Sequence, residues 1–374
     1  MNVEWIIFFY MAVSIAMALF DLGFAAFQHA RETVFVRRNE RMAQMLYEEI
    51  RRNAGFPTPE HKSELERQLK TLSGLEAFDQ SMDHLEHLGK AERDRYLLGI
   101  SEVFDNLAPL YMNRKELNQA YFCYIVKNWY RPEEPSPVID RMLMLFLQGD
   151  TVYLRQNAFE AIAGQGNVDT MAQAIVAIDA SERFHHPRLF TETLMSFPGD
   201  KRALAERLSG LIDGLTPSMQ VAATNFLRMQ HMGDPQWFLD KMVDESASQE
   251  VRIACVRYFM SNPYEPAREP LMRLAASTRG GEWEFASVAN TALASYPGED
   301  TIALLKNSLS SPVWYVRFNA AKSLYDLGAQ PERDLKDILD GSDRFAREML
   351  AYRWSLEGVP LSNTEAGEEM IASC

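Results

Sequence analysis

A nine-residue apolar frame recurs seven times in the second half of the chain, and this recurrence limits the fold more than any other feature. The copies are LRQNAFEAI from Leu154, LFTETLMSF from Leu189, MQVAATNFL from Met219, VRIACVRYF from Val251, FASVANTAL from Phe285, VRFNAAKSL from Val316 and AREMLAYRW from Ala346. Their starts are 35, 30, 32, 34, 31 and 30 residues apart. The first position is apolar in every copy, and the ninth is a large apolar side chain: Ile162, Phe197, Leu227, Phe259, Leu293, Leu324 and Trp354. The fifth is small at Ala158, Ala223, Ala289 and Ala320. Positions one, five and nine share one stripe of a helix, and a small residue in its middle lets a neighbouring helix come close.

The frame is punctuated like a helix. Thr216 before Pro217 and Ser311 before Pro312 predict an N-cap followed by a first-turn proline. Gly166, Gly199, Gly233, Gly298 and Gly328 predict left-handed closures at the far end. Apolar pairs four apart, Leu204 with Leu208, Phe238 with Met242, Leu305 with Leu309 and Leu335 with Leu339, predict a second helix in each period. Helix, turn and helix at about 32 residues is a solenoid period. Residues 40–150 lack a clear repeat but show the same helical spacing. They read as segments over 39–54, 59–73, 76–90, 91–111, 114–130 and 136–148, with breaks at Gly55 to Pro59, Gly74, Gly89, Met112 to Asn113 and Pro132 to Pro137. The fold class is therefore all-α.

SPVWYVRFNAAKSLYDLGAQPERDLKDIL, residues 311–339, resembles a short bacterial HEAT repeat of the PBS-lyase type, with the xVRxxAxxxLxxLG core of that class. The resemblance covers about residues 150–357. It implies a solenoid in which the arginine at the second frame position is structural and bonds to a neighbouring repeat. That arginine is present as Arg155, Arg252, Arg317 and Arg347, whereas Phe190, Gln220 and Ala286 replace it in three copies.

Trp5 to Phe27 reads WIIFFYMAVSIAMALFDLGFAAF, with Asp21 as its one formal charge. As a helix these residues span about 34 Å, enough to cross a bilayer. Glu4 and the lack of a basic side chain before the run argue for an uncleaved anchor over a signal peptide. Arg31, Arg37, Arg38 and Arg41 follow the run, and the positive-inside bias puts the C-terminal bulk in the cytoplasm with the N-terminus outside. Asp21 is either a carboxyl hydrated at the membrane interface or a polar contact to another membrane helix, and it is the candidate partner-binding residue of the anchor. The expected organisation is an anchor over 1–30, a helical juxtamembrane region over 31–150 and a HEAT-like solenoid over 151–357. A disordered tail over 358–374 follows, polar and poor in large apolar groups.

Composition narrows the function classes. With 38 basic and 52 acidic residues the chain carries a formal charge of −14, a field that repels nucleic acid. Cys123, Cys255 and Cys374 form no disulfide framework and no zinc spacing, and Cys255 reads as core packing. Asp83, His84, Glu86 and His87 crowd one helical turn without an HExxH pattern, and His185 and His186 precede Pro187 in a turn between repeats. An iron hydroxylase of this repeat class uses His-Glu dipeptides, and the chain has none. There is no phosphate-cradling glycine loop and no GxSxG elbow. Trp283 lies in TRGGEWEF, read as an exposed turn, and is the second candidate partner-binding residue.

The expectation is a membrane-anchored cytoplasmic scaffold that binds an integral membrane protein. It is not an enzyme, and has no catalytic residue, metal, cofactor, small-molecule substrate or nucleic-acid partner. Bacterial proteins resembling this one accompany membrane glycosyltransferases of exopolysaccharide production, which makes such a synthase the expected partner. The alternatives are a membrane-tethered enzyme of HEAT type, metal-dependent or lyase-like, and a nucleic-acid binder recognisable by a basic face.

Overall fold

The computed structural model describes residues 3–85, 88–134, 136–181, 183, 186–277, 283–359 and 361. The regular structure of these residues is all helical, with no strand among them. The chain divides into two compact units, Met1–Thr170 and Met171–Cys374.

Unit 1 begins with one uninterrupted helix, α1 (Val3–Arg52), of 50 residues. At a rise of about 1.5 Å per residue it is about 75 Å long. The predicted anchor and the predicted segment over 39–54 are therefore parts of a single rod. Its two ends differ in character. Leu19, Phe20 and Leu22 are all exposed, as are Phe9, Ile15, Phe24 and Phe27, so the first part is apolar around its whole circumference. From Met42 onward the pattern becomes amphipathic: Met42, Leu46 and Ile50 are fully buried at a spacing of four and face α3 (Leu72–His84). The rod stops at Ala54 and Gly55, both left-handed at φ of 50° and 86°, where the Gly55 amide donates to the Ile50 carbonyl at 2.9 Å.

The rest of unit 1 is α2 (Pro59–Leu69), α4 (Lys90–Gly99), α5 (Ser101–Met112), α6 (Glu116–Trp129), α7 (Pro137–Phe146) and α8 (Val152–Gly164). The segment expected over 91–111 is broken in two at Ile100. Gly74, read as a break, lies inside α3, where its amide caps onto the Thr71 hydroxyl at 3.1 Å. Helices two apart in sequence pack together: α3 on α1, α7 on α5 and α8 on α6. Burial depresses the pKa of His61, which bonds to the Tyr96 hydroxyl at 2.7 Å, and raises that of the Cys123 thiol.

A further helix, α9 (Val168–Asp179), leads to the repeats of unit 2. Their first helices are α10 (Pro187–Ser196), α12 (Pro217–Met229), α14 (Gln249–Ser261), α16 (Trp283–Ala292), α18 (Trp314–Asp326) and α20 (Arg344–Leu356). The second helices are α11 (Lys201–Ser209), α13 (Pro235–Val243), α15 (Arg268–Ala275), α17 (Glu299–Ser308) and α19 (Lys336–Leu339). Each first helix packs on the next, and cross-helix hydrogen bonds set them parallel. Asn262 at the end of α14 donates to the Arg228 carbonyl near the end of α12 at 3.3 Å, and Asn319 of α18 donates to the Ser287 carbonyl of α16 at 3.0 Å.

The frame matches the burial pattern. All seven ninth-position side chains are buried, and so are Ala158, Ala223, Ala289 and Ala320. The Leu189 copy departs at its start: Leu189 is half-buried, while Phe190, at the arginine position, enters the core. Local punctuation was less legible. Ser311 does not cap α18, which starts at Trp314 with Val313 as its N-cap residue. Thr216 is the N-cap residue of α12 with Pro217 in its first turn, as expected, but its hydroxyl donates to Asp179 and not to its own helix. Gly298 is extended, at φ of 165°, and precedes α17 instead of closing a helix.

Ala320 tests the frame directly, because its methyl group is fully buried where α18 meets α16 and α17. Ala320→Leu is expected to overpack that interface and cost about 1–3 kcal/mol, read as a lower denaturant midpoint of the purified chain. An unchanged midpoint would mean that the small central position does not set helix spacing.

Candidate functional site

In the frame the buried stripe is at positions one, five and nine. The residue just before the frame and its third and seventh positions lie on a second stripe, whose centre is about 170° away around the helix at about 100° per residue. In unit 2 this second stripe opens into a groove of about 1090 Å³ that crosses α10, α12, α14, α16 and α18. The residue before the frame supplies Arg188, Ser218, Glu250, Glu284 and Tyr315, and the third position supplies Thr191, Val221, Ile253 and Ser287. Asn225 and Arg257 come from the seventh position, and Arg228 and Met229 lie one turn further along α12.

Because the helices run parallel, the two acids of the groove line up along one edge, which they share with Arg188. Glu250 and Glu284 occupy first turns, on one side. Arg228 and Arg257 lie toward the opposite ends of their helices. Glu284 accepts a hydrogen bond from Gln249, and Arg188 pairs with Glu192 at 2.7 Å on its own helix. Arg228 and Arg257 form no ion pair among the described residues. Arg228 is half-buried, and its Nε is enclosed with no hydrogen-bond partner among them. Desolvation lowers its pKa, and the like charge of Arg257 lowers it further. Two guanidinium groups facing one groove have the chemistry to pair with carboxylates or phosphates.

The other end of the groove is aromatic. Trp283 stacks on Tyr315 with ring centroids 5.9 Å apart and planes at 22°. Trp314 meets Tyr315 edge-on at 5.2 Å and stacks on Phe318 at 4.9 Å. Trp283, Trp314, Tyr315 and Phe345 all remain substantially exposed, a cluster of large rings that a self-contained surface does not need. Trp283 is the first residue of α16, so the predicted turn around it is not where the ring sits. Thr278 to Glu282, the part of that motif before Trp283, lie outside the described residues, as do Glu86, His87, His185 and the tail from Ser362, Cys374 included.

The repeat arginines are placed elsewhere and share one task. Nη1 of Arg155 donates to the Gly149 and Asp150 carbonyls at 2.9 Å each, that of Arg317 to the Ser311 carbonyl at 2.6 Å, and that of Arg347 to the Gly341 carbonyl. Arg252 reaches the Met242 carbonyl from Nε at 3.1 Å. The Met242 carbonyl belongs to the last turn of α13, where it is an orphan acceptor, and the other carbonyls lie in the turns that follow the preceding helices, so each guanidinium pins the connection into its own helix. Arg252 also covers the Phe285 ring at 4.6 Å and Arg317 the Phe345 ring at 5.5 Å, which ties each to the start of the next repeat. Gln220 substitutes for the missing arginine in its copy, donating to the Ile212 carbonyl at 3.1 Å.

Asp21 is exposed on α1, between residues whose apolar side chains point outward, with Phe20 and Phe24 stacked at 6.2 Å beside it. The Cys255 thiol is buried, and desolvation pushes its pKa up to about 12. Among the described residues no three His, Cys, Asp or Glu side chains converge as a metal site.

No protein-family model and no curated protein matches the chain. Among solved structures, human deoxyhypusine hydroxylase in complex with glycerol aligns over 80% of this chain and 96% of its own, at 15% identity and a TM-score of 0.28. The sequence-based exclusion of an enzyme does not stand: the missing His-Glu dipeptides and catalytic motifs led to it, yet this solved structure is that of an enzyme. At that TM-score the likeness assigns this chain no activity.

Proposed function

We propose that the chain is a membrane-anchored scaffold of the HEAT-repeat class, with its repeats in the cytoplasm, where they hold a protein partner beside the membrane. The observation that carries this reading is α1. A stretch apolar on every side and long enough to cross a bilayer continues without a break into the helix that packs the first unit, so that unit is held next to the lipid. Anchoring also raises the effective concentration of the groove toward other proteins of the same membrane. The arginines at 31, 37, 38 and 41 support the cytoplasmic orientation. The partner in this reading is an integral membrane protein, with a glycosyltransferase of exopolysaccharide synthesis as the first candidate, and Asp21 contributes a polar contact to it within the bilayer.

Two measurements test this. A C-terminal reporter active only in the cytoplasm is expected to be active, and a silent one reverses the orientation. Crosslinking in membranes followed by mild-detergent purification is expected to recover one integral membrane protein in constant ratio, at several-fold lower yield from Asp21→Leu. Equal recovery with Asp21→Leu would remove Asp21 from the contact, and recovery of nothing would remove the scaffold reading.

A further inference from the structure

The groove in unit 2 has features of its own that specify the chemistry of an occupant. Its floor is apolar at Val221, Ile253 and Val288, which suits a chain segment better than a small polar solute. Arg228 and Arg257 face it at one edge with no acidic partner, although the protein as a whole carries a charge of −14. In a strongly acidic chain, two adjacent arginines left without a carboxylate form a local potential opposite to that of their surroundings. Such an inversion selects for an anion supplied from outside.

The separation of the two ends gives the length. From the seventh frame position of α14 to the first residues of α16 and α18 is about 10 Å along the helix axis. It is one or two interhelical steps of about 8–10 Å across. The diagonal is thus about 13–22 Å, or four to seven residues of extended backbone at about 3.3 Å each. The acids Glu250 and Glu284 lie off that diagonal's basic end, so a segment entered in the wrong direction places its own acids against them.

We propose that this groove binds an extended acidic peptide segment of the protein partner. Neighbouring carboxylates would pair with Arg228 and Arg257, and a proline or other apolar side chain four to seven residues away would pack on the Trp283–Tyr315 pair. The inference rests on the scaffold reading and gives its partner a recognisable motif. The apolar ring pair and the charged pair act at a fixed separation, so the motif is defined by spacing as well as composition.

The test uses the full chain in nanodiscs of zwitterionic lipid, panned against a random dodecapeptide display library. The peptides recovered are expected to be enriched in Asp and Glu over Lys and Arg, with a proline or apolar residue at the stated spacing. The strongest peptide, synthesised with a fluorophore, is expected to bind at least tenfold more weakly to Arg257→Gln and to Trp283→Ala, and to Arg228→Gln where that variant keeps the parental melting temperature. Arg257 is exposed, so its variant reports on binding and not on folding, whereas Trp283→Ala also loses the stack on Tyr315 and is read only where it keeps the parental melting temperature. A pool without acidic enrichment, or affinity unchanged in Arg257→Gln, overturns the proposal. So does a peptide whose binding is abolished by anionic vesicles but not by the Arg257 change, which would make the patch a lipid contact. If the library fails while membrane crosslinking still recovers a partner, the groove assignment falls and the scaffold stands. If both fail, the scaffold falls as well.

Discussion

Gly55→Ala is expected to lower the stability of the first unit by about 2–5 kcal/mol, far more than the same change at Gly328. Both glycines are left-handed, at φ of 86° and 73°, so both substitutions incur about 1–2 kcal/mol of backbone strain. They differ in what a methyl group would meet. At Gly328 there is open space, whereas at Gly55 it would run into the Glu92 carbonyl, part of the backbone of α4 and unable to rotate away. The clash contributes a further 1–3 kcal/mol or so. Parallel chemical melts of the two variants, followed by circular dichroism, decide the matter. Equal midpoints would mean that the turn ending α1 does not hold α4 as closely as described.

Removing residues 1–30 is expected to move the protein from the membrane fraction to the soluble fraction almost completely. Between Trp5 and Phe27 there are eleven Ile, Leu, Val and Phe residues. On an insertion scale they contribute about −3 to −7 kcal/mol, against about +3 for an acid such as Asp21 at the helix centre. Among the described side chains nothing buried is lost by the cut, because the first of them to be fully buried in α1 is Met42. The truncated chain should therefore keep the parental mean residue ellipticity while its membrane partition falls, by up to several hundredfold at the upper end of that range. Retention on carbonate-washed membranes would locate the attachment in the body, with the exposed aromatic cluster of α16, α18 and α20 the next place to look.

The fold was legible where a period repeated. Seven copies of one frame gave seven independent readings of the same stripe, and an error in one copy, such as half-buried Leu189 beside buried Phe190, left the others intact. Helix ends were less legible because each depends on a single contact: Thr216 had a competing acceptor in Asp179, and Gly298 lies where Arg268 approaches from another helix. The groove was missed for a different reason. Its residues are scattered from His186 to Asn319 with no local motif, and the frame was read only at its buried positions. Reading the residue before the frame down the copies, Arg188, Ser218, Glu250, Glu284 and Tyr315, would have exposed a second, polar stripe. Trp283 was singled out for its glycine neighbours, whereas its relevance in the structure comes from Tyr315, 32 residues later.

The unbroken α1 also works as a counting device. Between Phe27, the last large ring of the apolar stretch, and Met42, the first buried anchor of the body, the helix makes about four turns with no hinge. Each residue added there would turn the first unit by about 100° about the rod and raise it by about 1.5 Å. Two inserted residues would aim that unit nearly backward, whereas seven would return it almost to its starting azimuth, one storey higher by about 10 Å. Azimuth and height above the apolar stretch are thereby written into chain length, and a family of insertions could separate a partner that needs the right direction from one that needs only the right altitude.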